Sequence, residues 1–463
     1  SEAHPRASRR ISTGLVALGL IATGIVAVVV GSYSHPHTDL EVVVVILGGA
    51  LIVAGALGLV IEAWDAGPAA VALSVASVTM VSLLLIRDFD LFSGIRVYVV
   101  SFLVACVLGL VALLVRTPSR ATALVLGAIA TIAFIAGSVS VLGTDVDMDV
   151  VELHDQAAAA ILAGDNPYTT GNVAVMEDRP GDDLELIEEY TYPPVTLAWY
   201  TLAYAVFGDS RWAGAIGIAL AIALLAVAAT SSEGVRRVAI AAIAVVVANP
   251  VSLVMVSLGW NEAVAFPAFV LALMLWRRVP IASAIALGIA IATKQYLVIG
   301  IPLLFAIPDR DAWKRGSFVA GTVVATYLPF VLWDAEGLVR GTFIHHLTRM
   351  PRPDGLTLGG IGIEIPGVIA LLVGAGVGVV VGFRRSGAGP VLLANAAAVA
   401  SFTLLAARGF RNSWWLVVCL AGVALVARPV DGRHRSSWQR TSIVDTGAQA
   451  QVPDVPADTH IES

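Results

Sequence analysis

A cluster of ionisable residues interrupts a chain that is otherwise apolar. Within eleven positions, directly after an apolar run, the sequence places Asp145, Asp147, Asp149, Glu152, His154 and Asp155. A carboxylate can act as a general base toward a hydroxyl group. Ionisable groups at a membrane boundary are energetically costly, which makes them candidates for function. The cluster therefore predicts an acid–base site within residues 143–190.

Cationic and polar residues recur on short connections later in the chain. Lys294, Arg408 and Arg411 suit a phosphate, which arginine binds through two donors and lysine as a point charge. The other residues that we place on the same side are Asn166, Tyr168, Tyr190, Tyr192, Asn261, Glu262, Gln295, His345, His346, Arg349, Arg352 and Asn412. A base and cationic groups beside a bilayer are what transfer of a sugar from a lipid phosphate would need.

The composition restricts what can position these residues. Of 463 residues, 58 % are hydrophobic and 13 % are charged, and the net charge of −6 indicates little about partners. Apolar runs of about 20 residues, the length that spans a bilayer, recur between residues 12 and 427. The sequence predicts an all-α, polytopic integral membrane protein that contacts membrane lipids and has no role in binding nucleic acid.

The number and direction of the spans follow from apolar runs and charges. Five runs precede the acidic segment and ten follow it, and a break at Asn249-Pro250 would add one more, so we expect about 15–16 transmembrane helices. Arginine-rich connections favour the cytoplasmic side. This rule places the N-terminus inside, and residues 143–190 outside the cell membrane.

Three regions follow from this pattern. Residues 1–120 form a four-helix membrane module without a polar cluster, and residues 121–430 form the membrane domain that carries the site. Residues 431–463 form a cytoplasmic tail, and the Ser-, Asp- and Pro-rich composition after Arg440 predicts disorder.

The acidic segment has its own predicted structure. Residues 150–163 have the spacing of an amphipathic helix, with Val151, His154, Ala158 and Ile161-Leu162 on one face. Asp149 stands at the N-cap position, so it is either a functional carboxylate or a helix cap. Gly164 should end the helix in a left-handed conformation. Residues 169–189 are polar and predict an exposed loop, after which Pro193 and Pro194 start a new helix.

Two further observations concern metals and cysteines. Cys106 and Cys419 both lie within apolar runs, which predicts small core residues rather than a disulfide or a metal pair. The pair His345-His346 has no acidic partner nearby in sequence, which favours interface residues over a metal site. No cofactor is required by these residues, and the participation of a divalent cation stays open.

The acidic segment also resembles a known family. The pattern DVVELHDQAAAAILAGDNPY at 149–168, followed by YPP at 192–194, resembles the first extracytoplasmic loop of C-type (GT-C fold) membrane glycosyltransferases. It is most similar to the polyprenyl-phosphate-mannose-dependent mannosyltransferases of actinobacterial envelopes. WNE at 260–262, KQY at 294–296 and RGFRNSWW at 408–415 are similar to recurring patches of that group. The resemblance covers residues 121–427.

The resemblance implies a function and roles for residues. It implies inverting transfer of a sugar, with mannose favoured, from a polyprenyl-phosphate donor to a glycolipid or glycan outside the cell membrane. Asp149 matches the family's catalytic base, and Asp147 is the second candidate. The alternative is a multi-pass transporter or flippase of a lipid-linked or anionic solute, in which Glu262 would line an ion pathway.

Overall fold

The helices of this computed structural model pack around one extended apolar cluster, and two smaller clusters accompany it among the described residues. The structure describes residues 5–32, 39–61, 68–76, 118–144, 148–169, 175–177, 185–187, 189–348, 355–383, 387–406 and 411–426, with residue 409 and isolated positions between 79 and 115. Residues of α1 (Pro5–Ser32) and α2 (Asp39–Ile61) belong to the same core cluster as residues near the end of the chain. The proposed division at residue 120 stays a prediction.

The remaining elements follow in chain order. They are α3 (Arg120–Leu142), α4 (Asp149–Ala163), β1 (Val175–Glu177), β2 (Glu185–Ile187), α5 (Pro194–Phe207), α6 (Trp212–Ala228), α7 (Glu233–Ala248), α8 (Val251–Ser257), α9 (Glu262–Leu275), α10 (Pro280–Ile291), a 3-10 turn (Gln295–Ile299), α11 (Gly300–Ala306), α12 (Ala312–Val339), a π turn (Arg340–Ile344), α13 (His345–Thr348), a second 3-10 turn (Gly359–Ile361), α14 (Gly367–Gly382), α15 (Ala388–Leu405) and α16 (Arg411–Val426). Residues 68–76 are also helical. The all-α fold class is confirmed.

Apolar helices of membrane-spanning length identify a membrane protein. By length and composition, Arg120–Leu142, Ala312–Leu347 and Ala388–Leu405 can each cross a membrane, and two bent helix pairs raise the number to five. Seven shorter apolar helices of 10–17 residues accompany them among the described residues. The number of 15–16 crossings and their direction stay predictions.

Two bends interrupt the apolar runs. The run after Arg236 breaks as expected at Asn249-Pro250, where α7 and α8 meet at 57°. Proline cannot donate the backbone hydrogen bond that would continue α7. A second break separates α5 from α6 by 106°, and Gly208 ends α5 with a φ of 74°.

The acidic segment differs from the prediction in three details. Met148 is the N-cap of α4, and Asp149 is its first helical residue, so the N-cap assignment was wrong by one position. The buried face contains Leu153 and Ala157 beside His154 and Ala158, whereas Leu162 is exposed. Strands β1 and β2 pair antiparallel, with Met176 opposite Leu186, where a loop without regular structure was expected. Apolar residues alternate too briefly there to give a strand pattern.

Other predicted ends of the segment are confirmed. Gly164 has a φ of 89°, and the amide of Asp165 donates to the carbonyl of Ala160, which closes α4. Left-handed glycines commonly end helices in this way. Pro194 is the first residue of α5, where its missing N–H costs nothing.

Candidate functional site

The acidic segment is anchored where it leaves α3. The guanidinium of Arg211 donates to the carbonyls of Leu142 at 2.9 Å and Thr144 at 3.1 Å. Asp209 forms an ion pair with the same guanidinium, with its Oδ2 2.7 Å from Nη2. Arg211 is 9 % exposed, and its planar group can serve several acceptors at once. This contact fixes the start of the segment against the start of α6.

Glu262 is the centre of a buried polar cluster. It is the first residue of α9 and is fully buried. Nδ2 of Asn412 lies 3.0 Å from both carboxylate oxygens, and the hydroxyl of Tyr296 donates to Oε1 at 3.0 Å. Buried carboxylates are stable only when such donors compensate for lost hydration. Three distant parts of the sequence therefore converge on one carboxylate.

Lys294 completes this cluster. Its Nζ lies 3.4 Å from Oε1 of Glu262 and 4.6 Å from the centre of the Tyr192 ring. The residue is 7 % exposed, so protein encloses its ammonium group, whereas a boundary lysine extends its charged end into water. A carboxylate on one side and a π face on the other stabilise the buried ammonium.

His154 forms the wall of the site on the α4 side. Its ring stacks on Tyr200 with centroids 3.7 Å apart, and Nδ1 lies 2.8 Å from the Tyr190 hydroxyl. Burial, and then the positive charge of Lys294, lower the pKa of His154 to about 3. The imidazole is therefore neutral at physiological pH. It cannot serve as a cation for a phosphate, but it can hold a neutral polar group.

Asn261 lies beside this histidine. It is fully buried, and neither its Oδ1 nor its Nδ2 completes a hydrogen bond within the described residues. Nε2 of His154 makes no hydrogen bond of good geometry among them, although Asn261 and the Gly259 backbone lie close enough to the ring to favour its protonated form. Buried polar atoms of this kind cost free energy unless a bound group satisfies them. The pair adds neutral hydrogen-bonding capacity next to Lys294.

Tyrosines join the two ends of the segment. The Tyr168 hydroxyl donates to the Tyr192 carbonyl at 2.7 Å, and the Tyr168 amide donates to Oδ1 of Asn166 at 3.0 Å. Tyr168, Tyr190 and Tyr192 belong to one apolar cluster with Leu153 and Leu338. The DNPY and YPP motifs therefore meet, although more than twenty residues separate them.

The far end of α12 packs closely on this tyrosine cluster. Asp334 breaks the helix with φ −158° and ψ 93°, and its Oδ1 accepts from the Gly337 amide at 3.0 Å. A Cβ at Gly337 would overlap the carbonyl oxygen of Tyr168. A Cβ at Gly341 would lie 2.5 Å from the carbonyl oxygen of Tyr190. The two glycines therefore allow backbone to approach backbone.

His345 and His346 follow the π turn. Nε2 of His346 lies 2.9 Å from the Thr191 carbonyl, and its ring centroid is 6.1 Å from that of Tyr192. His345 lies next to it, with ring centroids 5.2 Å apart. Arg340, at the start of the turn, pairs with Glu189. These residues border the tyrosine cluster rather than the Glu262 carboxylate.

Asp149 is the first residue of α4. Its Oδ1 accepts the amide of Val150 at 2.8 Å, and the residue is half-buried. A capping side chain normally accepts from an amide two or three positions further on. Asp149 and His154 are five positions apart, which corresponds to about 140° around the axis of a helix. Their side chains therefore leave α4 on nearly opposite sides.

Asp155 has a separate structural role. Its Oδ1 accepts the Ser210 amide at 3.1 Å, which ties α4 to the start of α6. Burial raises the pKa of this carboxyl group. Glu152 is exposed and accepts from Nε2 of Gln156 at 2.8 Å. Neither residue contacts the Glu262 cluster through a described hydrogen bond.

The structure unites some of the predicted site residues and separates others. The united residues are His154, Tyr192, Asn261, Glu262, Lys294 and Asn412. Gln295 is buried directly after Lys294, and Arg411 directly precedes Asn412 at the start of α16. Five predicted residues lie outside the described residues, namely Asp145, Asp147, Arg349, Arg352 and Arg408.

Sequence reasoning missed several residues of the site. Tyr200 was treated as part of an apolar run and Tyr296 only as the last residue of the KQY motif, although their hydroxyl groups donate to the Gly259 carbonyl and to Glu262. The signal was a tyrosine in a membrane-spanning run, whose hydroxyl needs a partner when buried. Nothing comparable in the sequence indicated the contacts of Gly337 and Arg211.

No metal site emerges from the described residues. Among them, no three His, Cys, Asp or Glu side chains lie close enough together to hold an ion. Cys419 is a free, buried thiol, whereas Cys106 lies outside the described residues.

Comparisons with known proteins give one similar structure. No family model matches the chain, and no curated protein matches it. A crystal structure of ArnT from Cupriavidus metallidurans bound to undecaprenyl phosphate is similar, with a TM-score of 0.44 and 16 % sequence identity. The match covers 69 % of this chain and 62 % of that chain, so it spans less than two thirds of ArnT.

Proposed function

We propose that this protein is a C-type membrane glycosyltransferase. It transfers a sugar, with mannose favoured, from a polyprenyl-phosphate donor to a glycolipid or glycan on the outer side of the cytoplasmic membrane. The observation that carries the proposal is the buried cluster in which Lys294 lies between Glu262 and the Tyr192 ring, beneath α4. A positive group enclosed in an apolar bundle suits an anion that arrives on a lipid.

The reaction divides between two parts of the site. Asp149, or Asp147 in its place, accepts the proton of the acceptor hydroxyl as the hydroxyl oxygen bonds to the anomeric carbon. The bond from that carbon to the phosphate oxygen breaks, and the lipid phosphate leaves with the bonding electrons. Lys294, with Arg411 and Arg408, stabilises the charge on the leaving phosphate. Attack opposite to the leaving group inverts the anomeric centre.

The remaining residues bind the sugar and the acceptor. The roles fall to His154, Asn166, Tyr168, Tyr192, Asn261, Glu262, Gln295, His345, His346 and Asn412. Neutral His154 and Asn261 suit sugar hydroxyl groups because both can donate or accept without a net charge. Glu262 and Asn412 hold Lys294 and its surroundings in place.

A transporter or flippase is the second candidate. The specific observation in its favour is the pair of broken helices, because transporters bind their substrates at interrupted helices near the middle of the membrane. The buried pair of Lys294 and Glu262 would then lie on a transport path. Such a protein moves a solute without breaking a glycosidic bond.

Turnover of a labelled donor separates the two candidates. Purified protein in liposomes receives polyprenyl-phosphate [14C]mannose and a crude glycolipid acceptor, and the release of polyprenyl phosphate is measured together with labelled product. We expect transfer by the wild type and loss of nearly all of it in Asp149→Asn. Asp165→Asn, a change of an exposed carboxylate on the same segment, is the matched control and should keep full activity.

The possible results have distinct meanings. Full activity of Asp149→Asn with loss in Asp147→Asn would move the base to Asp147. Movement of the lipid or of a solute across the bilayer without any product would support the transporter. Other labelled polyprenyl-phosphate sugars in the same assay determine whether mannose is the preferred sugar.

A further inference from the structure

The distance from Glu262 to Lys294 is longer than the distances from Glu262 to its two hydrogen-bond donors. The hydrogen bonds from Asn412 and Tyr296 are each 3.0 Å, whereas Nζ of Lys294 is 3.4 Å away. Tight pairs of an ammonium and a carboxylate are closer, at about 2.7–2.9 Å. The distance leaves room for a second anion beside the ammonium, while Asn412 and Tyr296 continue to donate to Glu262.

Lys294 also has donors to spare. An ammonium group has three N–H donors, and the contact with Glu262 needs one. The Lys294 side chain is 9 % exposed, while that of Glu262 is fully buried. An anion that enters the site therefore meets Lys294 first. The Glu262 carboxylate then lies behind the ammonium group.

We infer that Glu262 discriminates against a phosphate monoester relative to a phosphate diester at this site. The inference rests on the proposed function, in which the sugar donor is a diester with one negative charge. The lipid phosphate that leaves is a monoester, whose charge near pH 7 is about −1.5 to −2. Glu262 repels both lipids, and it repels the more highly charged monoester more strongly. The same residue therefore weakens binding of the lipid product more than it weakens binding of the donor.

The expected size follows from Coulomb's law. An extra half to one charge at about 7 Å from a carboxylate, with an effective dielectric constant of about 20, changes affinity about ten- to fiftyfold. This effect depends on the charge of Glu262 and not on its hydrogen bonds. A variant that removes the charge should therefore differ from one that removes only a hydrogen bond.

The test compares two soluble probes of the lipid phosphate. Farnesyl phosphate is the monoester, and its methyl ester is the diester. Their dissociation constants are measured calorimetrically with the full chain in lipid nanodiscs. Lys294 attracts the more highly charged monoester and Glu262 opposes this attraction, so the wild-type ratio of the two dissociation constants is the reference. Glu262→Gln should shift this ratio about tenfold or more toward the monoester.

Tyr296→Phe is the matched control. It removes a hydrogen bond to the same carboxylate and leaves the charge in place, so the ratio should stay at the wild-type value. An unchanged ratio in Glu262→Gln, or an equal shift in Tyr296→Phe, would overturn the inference. In Lys294→Gln, which leaves Glu262 without its cation, the diester should bind more tightly than the monoester, and the opposite order would overturn the inference even if Glu262→Gln does not fold.

The outcome also separates this inference from the proposed function. If both probes bind and the ratio of their dissociation constants is the same with and without the Glu262 charge, the inference fails and the lipid-phosphate site stands. If neither probe binds to the wild type, the lipid-phosphate donor fails, and the inference about Glu262 fails with it.

Discussion

The Nζ atom of Lys294 lies 3.4 Å from Oε1 of Glu262 inside a bundle of apolar helices. Neither charge is accessible enough for water to solvate it well, so each depends on the other. Removing one partner of a buried pair leaves an uncompensated charge, whereas removing both need not destabilise the fold. The pair therefore makes a prediction about stability that is separate from catalysis.

We predict that Lys294→Met lowers the free energy of unfolding by about 3 kcal/mol, the lower end of the usual cost. The cost is limited because Asn412 and Tyr296 still donate to the carboxylate. The double variant Lys294→Met with Glu262→Gln should recover most of this loss. Thermal unfolding in one detergent measures both, and equal melting temperatures of wild type and Lys294→Met would contradict the prediction.

The same lysine makes a kinetic prediction. Loss of a charge-assisted hydrogen bond to a phosphate from a partly desolvated site costs about 2–4 kcal/mol of transition-state stabilisation, or about 30- to 1,000-fold in rate. We expect this loss of kcat/KM for the donor in Lys294→Ala and in Arg411→Ala. Lys314→Ala, at an exposed position of α12, is the control and should behave as wild type.

The transporter alternative predicts a different result for these variants. They would change the flux of a solute and leave the turnover of any lipid-linked sugar unaffected. Wild-type donor kinetics in both Lys294→Ala and Arg411→Ala would exclude the phosphate contacts that we propose.

The sequence predicted this fold well where local rules dominate. The amphipathic helix after residue 148, its end at Gly164 and the break at Asn249-Pro250 all follow from periodicity, glycine and proline. These signals depend on neighbours within one or two turns, so tertiary packing rarely changes them. The strands β1 and β2 were missed because three-residue strands carry too little pattern.

The candidate site was only partly predictable. Polar residues in apolar runs identified Glu262, Lys294 and Asn412, but their mutual contact joins three distant segments. No single-sequence rule gives that distance. The depth of Lys294 was also hidden, because a lysine near the end of an apolar run can equally extend to the membrane surface. Burial against Glu262 distinguishes the two cases.

His154 predicts how stability depends on pH. Its pKa falls from an ordinary 6.5 to about 3 in the folded state, mainly through burial. Between these values the unfolded chain binds a proton that the folded chain does not. Stability is therefore full above pH 6.5 and decreases by about 1.4 kcal/mol for each pH unit below it, until the pH reaches the folded pKa.

The variant His154→Gln isolates this contribution. Between pH 6.5 and 4.5 the wild type should lose about 2 kcal/mol more than the variant, because glutamine does not titrate. Asp155 also has a shifted pKa, but it is present in both proteins and cancels in the difference. Parallel stability curves for the two proteins would show that His154 is protonated in the folded state.

The direction of the acidic loop can be tested in intact cells. Cys106 and Cys419 are first replaced by alanine, and single cysteines are then introduced at Asp182 and at Asp309. We expect an impermeant maleimide to label position 182 from outside and position 309 only after lysis, as the distribution of arginines predicts. Labelling of 182 only after lysis would place the loop in the cytoplasm, where an external lipid-linked donor could not reach it.

Two glycines of α12 give a final test of how the loop is held. A Cβ at Gly337 would overlap the Tyr168 carbonyl oxygen and lie 2.7 Å from Oδ2 of Asp334, whereas a Cβ at Gly321 meets nothing within 4 Å. We predict that Gly337→Ala forces the DNPY turn away from α12 and costs about 1–3 kcal/mol, as overpacking does. Gly321→Ala should be neutral or stabilise by about 0.5–1 kcal/mol, because alanine is the better helix former.

Thermal unfolding and limited proteolysis of the loop measure these two variants side by side. Gly337→Ala should lower the melting temperature and expose the segment around Tyr168 to protease, while Gly321→Ala leaves the cleavage pattern unchanged. Transfer activity should fall with Gly337→Ala as well, since Tyr168 holds the carbonyl of Tyr192, and the Tyr192 ring lies against Lys294. Equal stability and equal cleavage of the two variants would show that α12 does not hold the DNPY turn in place.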